Sequence, residues 1–280
     1  KPAYEIPLRL VGSEMCIRDR YGVMREDLKF LVVGDTIIDE DIFLVASGIS
    51  LETPTLKTTY DTNKVKYGGA ANVARQLADY DLDVTFLTSV SEEHINPISS
   101  TGAKVLNFYQ GKNNTKTRYW VSHGDSTYKY LQINNVNDEN VHPLIDADLS
   151  KYDIVAFSDY RCGLITESLI AACINLESTQ TYASSQISSR ESNYSLYEEV
   201  DYIVCNEKES KSVDRDYDIC ITKGSKGCSL NGSEYPVFEL ENIVSTMGAG
   251  DAFYAAFLAS GDPEFANAEA CNFIESGTYV

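Results

Sequence analysis

The chain reads as an α/β protein built on a mostly parallel sheet. Three observations say so: short β-rich apolar runs recur, stretches with helical apolar spacing separate them, and polar or glycine residues stand at the carboxyl end of each run. In such a sheet the carboxyl ends of the strands share one edge, where ligands bind. A chain of 280 residues with 43% hydrophobic and 23% charged residues can bury a substantial core.

Composition narrows the partners. Forty-two acidic against 23 basic residues give a formal charge of −19. That argues against nucleic acid or an anionic membrane, and it requires local basic residues wherever an anionic substrate binds. Seven cysteines, odd in number and without a C-x-x-C pair, fit reduced intracellular thiols. The three histidines show no metal-ligand spacing, and no apolar run approaches the roughly 18 residues of a membrane span. A soluble cytoplasmic protein is expected.

Taken in order, residues 1–20 fit nothing downstream. Leu10 to Arg20 resembles the conceptual translation of a transposon-end adapter used in sequencing libraries, so the segment is set aside as a non-native or variable extension. Phe30 to Val33, ending in Gly34, reads as a buried parallel strand. Asp35 and Asp39 follow it, either to grip substrate hydroxyls at the sheet edge or as turn and cap residues. Ile42 to Tyr67 is Thr-rich and broken by Pro54, which predicts short strands outside the main sheet. Gly68 and Gly69 open a stretch of helical spacing to Ala78 and let the helix start lie close against a ligand.

Val84 to Thr88 is the next strand, followed by a loop and helix zone. Thr115 to Val121 alternates polar with apolar residues and can pair with Tyr128 to Ile133. Lys116 and Arg118 then share one face, as a solvated surface or as a cationic grip on a phosphorylated substrate. Ile154 to Ser158 is a buried strand ending in Asp159, and Thr166 to Leu176 a helix. Tyr202 to Cys205 leads into Asn206 and Glu209; Asp218 to Thr222 leads into a turn with Gly224 and Gly227.

Chemistry is densest at Ser245 to Asp251, which runs directly into the apolar helix Ala252 to Ala259. The Gly248-Ala249-Gly250 turn can aim backbone N–H groups at one point, where the positive end of the helix favours an anion. A carboxylate beside that anion is awkward unless Asp251 accepts a proton from a hydroxyl attacking a phosphate. The plainer alternative is a helix cap with a glycine-rich entry.

From about Leu28 to its end the chain resembles the ribokinase-like PfkB sugar kinases. The motifs are Gly-Gly-Ala-Ala-Asn (68–72), Asn-x-x-Glu (206–209), Thr-x-Gly-x-x-Gly (222–227) and Gly-Ala-Gly-Asp (248–251), in the family's order. Residues 49–54, 115–118 and 158–160 look most like the kinases of heptose 7-phosphate, which act on the anomeric hydroxyl. The resemblance implies a ribokinase-like sandwich over residues 28–280, with a central, mostly parallel sheet flanked by helices. It also implies a small β lid from about 41–66 and 112–133, the surface for a possible homodimer. Asp39 and Asn72 would hold sugar hydroxyls, with Asp35, Gly68, Gly69 and Asp159 around them, and Lys116 and Arg118 would take a substrate phosphate. Asp251 would be the catalytic base, with the N–H groups of Gly248, Ala249 and Gly250 cradling the transferring phosphoryl group. Asn206 and Glu209 would organise Mg²⁺ through water, while Asn206, Thr222, Gly224, Gly227 and Asn272 flank ATP. No Walker sequence is present, so P-loop phosphate binding is not the mechanism.

Departures weaken the finer match. Ser245 stands where the family has Asp, which puts a monovalent-cation site in doubt. Arg161 and Cys162 replace a small residue and a lysine, and Ala183 to Gln186 stands in a region where the heptose kinases carry Asp-Pro-Lys. Ser91 to Gly111 is short for a helix with two connections, and the chain stops soon after Ala266 to Phe273, a helix expected to wall the adenine pocket. The coding sequence reads as incomplete at both ends. A kinase for another sugar, polyol or nucleoside remains open, as does a degenerate relative that binds without turnover.

Overall fold

The computed structural model describes residues 24–276 except 110, 137–147, 177, 188–190, 238–239 and 241. The extension at 1–20 lies outside them. In chain order the elements are β1 (Lys29–Gly34), β2 (Thr36–Ile49), β3 (Leu56–Gly69), α1 (Ala70–Asp79), β4 (Asp83–Thr88), α2 (Glu92–Ser99), β5 (Lys104–Asn107), β6 (Asn114–His123) and β7 (Ser126–Asn135). There follow β8 (Ile154–Asp159), α3 (Glu167–Ile174), β9 (Gln180–Ser185), β10 (Tyr202–Asn206), β11 (Ile219–Thr222), β12 (Cys228–Leu230), β13 (Ser233–Tyr235), α4 (Ala249–Ser260) and α5 (Pro263–Ser276).

The apolar runs assemble into a nine-stranded sheet ordered β13-β12-β11-β10-β9-β8-β1-β4-β5. From β11 to β5 every pairing is parallel; β12 and β13 add on antiparallel. Alternation along β1 splits its side chains between two cores, because successive residues point to opposite faces. Phe30 and Val32 pack in the core that includes residues of α1, α4 and α5, while Leu31 and Val33 join Leu164, Leu169 and Tyr197 opposite. Helix α4 is buried from Ala252 to Ala259, as expected of a helix apolar all round. The six described cysteines are free thiols. Among the described residues no helix is long and apolar enough to cross a membrane.

A second, four-stranded sheet is ordered β3-β2-β6-β7. Its strands are longer than their sequence suggested: β2 and β3 each run 14 residues, joined by the turn that holds Pro54. Backbone ladders hold them in register over a largely exposed surface, so an apolar-run criterion undercounts them. Residues 91–111 do accommodate a helix and a strand, because α2 has only eight residues.

Strand β1 is where the order of connection reverses. Strands β4 and β5 lie on one side of it and β8 to β11 on the other, so the crevice opens between the carboxyl ends of β1 and β8. The chain leaves the main sheet there, at Asp35, and passes straight into β2.

Candidate active site

The N-terminus of α4 is shaped by glycine. Gly248 caps the helix at φ 92°, in the left-handed region, and its carbonyl accepts from Ala252 N–H at 2.9 Å. At Gly250 an added Cβ would meet nothing within 4 Å, so the helix end opens outward there. Asp251 sits in the first turn. Its Oδ1 accepts from the Tyr160 hydroxyl at 2.5 Å and its Oδ2 from Asn72 Nδ2 at 3.1 Å. Burial pushes this carboxyl above the usual range, while hydrogen bonds from Tyr160 and Asn72 and the charge of Lys116 pull it back.

Asp251 and Gly250 line a cavity of about 140 Å³ together with Tyr160, Asn206, Glu209 and Thr222. The Asn-x-x-Glu motif closes on itself: Asn206 Oδ1 accepts from the N–H groups of Lys208 and Glu209 at 2.9 and 3.0 Å, and Glu209 Oε2 accepts from Asn206 N–H at 2.9 Å. This reciprocal arrangement has the form of a capping box. No group of three His, Cys, Asp or Glu side chains suited to a metal occurs among the described residues. The carboxylate of Glu209 with the amide of Asn206 fits an oxygen-seeking Mg²⁺ that keeps its waters, and does not fit a protein cage.

The smaller sheet supplies a second group. Lys116 and Arg118 do share a face of β6, and parallel pairing sets them beside Asp39 and Asp41 of β2. Arg118 Nη1 lies 2.7 Å from Asp39 Oδ1, and Trp120 Nε1 donates to Asp41 Oδ1 at 2.7 Å. These residues border a cavity of about 190 Å³ with Lys66, Ser245 and Met247. The lysine and the arginine therefore act differently: Lys116 bears on Asp251, whereas Arg118 is ion-paired with Asp39.

Several of the expected site residues are engaged by the protein's own groups. Asp35 is 2% exposed and accepts from Cys162 N–H at 3.0 Å and Leu164 N–H at 3.2 Å, so it is tied to the loop after β8. Burial first, and then the charge of Asp159, push its carboxyl up to about 7, against the pull of the N–H groups of Cys162, Leu164 and Tyr160. Asp159 is also buried; its oxygens accept from Ser185, Asn193, Tyr197 and Arg161 N–H. The glycines of 68–69 and Gly227 make room for the protein itself. A Cβ on Gly68 would stand 2.8 Å from Asp39 Oδ2, one on Gly69 2.5 Å from the Asp35 carbonyl and one on Gly227 2.1 Å from the Tyr235 carbonyl. Asn272 is exposed on α5 and donates to Glu269 Oε1 at 3.0 Å, outside the cavity around Asp251. Gly224, at φ +59°, has open space around it. Sequence reasoning passed over Tyr160 as a partner of Asp251 and over Arg75, whose helical spacing from Asn72 was the available signal.

No family model matches the chain. The bifunctional protein HldE of Trichlorobacter lovleyi is 26% identical over 204 residues, 66% of this chain and 40% of that protein. The HldE of Bradyrhizobium diazoefficiens is 26% identical over 269 residues, 82% of this chain and 54% of that protein. The chain thus spans about half, or less, of the length of these curated relatives. Among solved structures, ribokinase from Thermotoga maritima superposes with a TM-score of 0.61 at 19% identity, covering 89% of this chain and 92% of that one. The fold is ribokinase-like. Arabidopsis thaliana ribokinase complexed with ribose and ATP gives 0.59 at 16% identity over 89% of this chain and 90% of that one. The resemblance to PfkB carbohydrate kinases, first carried by four short motifs, is borne out by relatives and fold alike. In this ribokinase-like frame the motifs 68–72, 206–209 and 248–251 all contribute residues to one edge of the sheet, joined there by Tyr160.

Proposed function

We propose that the protein is a Mg²⁺-requiring kinase that transfers the γ-phosphoryl group of ATP to a hydroxyl of a sugar or sugar phosphate. The observation that carries this reading is Asp251: a carboxylate in the first turn of α4, behind the Gly248–Gly250 turn and facing a cavity lined by Asn206, Glu209 and Thr222. Tyr160 and Asn72 hold it in place and favour its ionised form. The sugar hydroxyl gives its proton to Asp251 as its oxygen bonds to phosphorus, and the bond to the ADP oxygen breaks. The N–H groups at the start of α4 stabilise the charge on the transferring group. Asn206 and Glu209 would hold the waters of Mg²⁺, which when bound neutralises phosphate charge.

A substrate that already carries phosphate is favoured by the lid. Lys64, Lys66, Lys116 and Arg118 flank Asp39 and Asp41 in register, a local concentration of cations in a chain of formal charge −19. Heptose 7-phosphate is the specific candidate, supported by the HldE relatives and by the motif at 115–118. Measuring ADP release on a panel of sugars, polyols, nucleosides and sugar phosphates that includes heptose 7-phosphate tests the reading. Turnover of a phosphorylated sugar above the ATP-only background is expected. A chain that binds ATP yet turns over nothing in the panel would instead be a non-catalytic relative. The partner proposed for the lid is a second copy of the chain: β7 is exposed along its whole length, with Tyr128, Tyr130, Leu131 and Ile133 in contact with solvent.

A further inference from the structure

Asn72 is 1% exposed, and its carboxamide is held at both ends. Nδ2 donates to Asp251 Oδ2 at 3.1 Å, and Oδ1 accepts from Arg75 Nη2 at 3.1 Å. Arg75 is in turn held by Asp79, whose Oδ2 accepts from Nη1 at 2.7 Å. Positions 72, 75 and 79 lie along one side of α1, so a single helix carries the row inward from its surface to Asp251.

We infer that Arg75 is a positioning residue: it fixes which end of the Asn72 carboxamide faces Asp251. This rests on the reading of Asp251 as the base. An amide can bond in either orientation, but a guanidinium only donates and an ionised carboxylate only accepts. Between the two, only one orientation makes both bonds. Without the guanidinium only the carboxylate itself still selects the orientation, so the turned amide, presenting Oδ1 to Asp251, becomes accessible once the carboxyl takes a proton. A lone pair against the carboxylate favours the protonated carboxyl, which cannot act as a base. The arrangement also constrains Asn72 as a sugar ligand, since Oδ1 is engaged and one of its two N–H groups is committed to Asp251.

The groups facing the Asp251 carboxyl are Tyr160 from the loop after β8, Asn72 from α1 and Lys116 from β6, with Arg75 and Asp79 behind Asn72. All but Arg75 stay unchanged in the test. The ¹³Cγ resonance of Asp251 is titrated by NMR in the full chain, assigned by its loss in Asp251→Asn. Arg75→Leu is expected to raise the midpoint by about 1 pH unit, and Arg75→Lys, which keeps a donor-only head, to leave it close to the parent. Should Arg75→Leu fail to fold, Arg75→Gln replaces it: its amide accepts as well as donates, no longer enforces one orientation, and shifts the midpoint upward too. An unmoved midpoint in the folded Leu or Gln variant, or an equal rise in Arg75→Lys, overturns the inference. The titration needs no turnover, so it stands or falls apart from the kinase reading.

Discussion

At the scale of single residues, two carboxylates of the same sheet edge differ in what holds them. Asp251 is gripped by side chains, Tyr160 and Asn72, and opens onto a cavity; Asp35 is gripped by backbone N–H groups and opens onto none of those described. The proposed base is thus the one that meets open space. Asp251→Asn removes a proton acceptor while keeping shape, and a positioned base contributes about 10² to 10⁴ in rate, so kcat should fall by that order with ATP affinity little changed. Wild-type kcat in that variant would remove Asp251 as the base. For Asp35, a folded-state pKa of about 7 against an ordinary value of 3.8 means that the folded chain keeps a proton which the unfolded chain has lost. Stability from this group is therefore present at low pH and lost as pH rises from about 4 to 7, by up to ~1.4 kcal/mol per pH unit. Asp35→Asn should be less stable overall, since its single amide oxygen cannot take the place of both carboxylate oxygens, and its urea midpoint should fall less steeply across about pH 4 to 7. Parallel slopes for variant and parent would show that Asp35 does not titrate in this window.

At the scale of elements, the glycines separate into two kinds. Gly69 must remain glycine because it sits at φ 66° with the Asp35 carbonyl 2.5 Å from where a Cβ would go, and that contact lets β2 and the start of α1 approach. Gly250 meets no such obstacle. Gly69→Ala should therefore cost about 1–3 kcal/mol and lower Tm by several degrees, while Gly250→Ala should leave Tm within about a degree of the parent. Calorimetry checks both. Equal Tm values for the two variants would mean that β2 can shift to relieve the contact. The same contrast explains why Gly-Gly reads in sequence as an invitation to a ligand: a close approach is needed, but the approaching group is the chain's own backbone.

At the scale of the whole molecule, the lid sheet leaves one whole strand exposed. Strand β7 is an edge strand, and Leu131 and Ile133, two residues apart and so on one face, are each nearly half exposed. Light scattering during size-exclusion chromatography should give the mass of a dimer at tens of micromolar, and Leu131→Lys with Ile133→Lys should give a monomer. A parent that elutes with the mass of one chain would set the lid dimer aside.

The sequence by itself determined the sheet and the chemistry available to it. β-Rich runs such as Phe30 to Val33 and the glycine turn before Asp251 are local signals, decided by side-chain shape and backbone freedom within a few residues. Tertiary structure decided which groups meet. Tyr160 reaches Asp251 across 91 residues and Asn72 across 179, and Arg118 is turned onto Asp39 by the parallel pairing of β6 with β2. Nothing in the neighbourhood of Asp35 or Asp159 distinguishes a ligand-binding carboxylate from one that holds a loop. That distinction depends on whether the protein's own donors or open space face the oxygens, and it arises only when β1, β8, β9 and the segment at 193–197 come together.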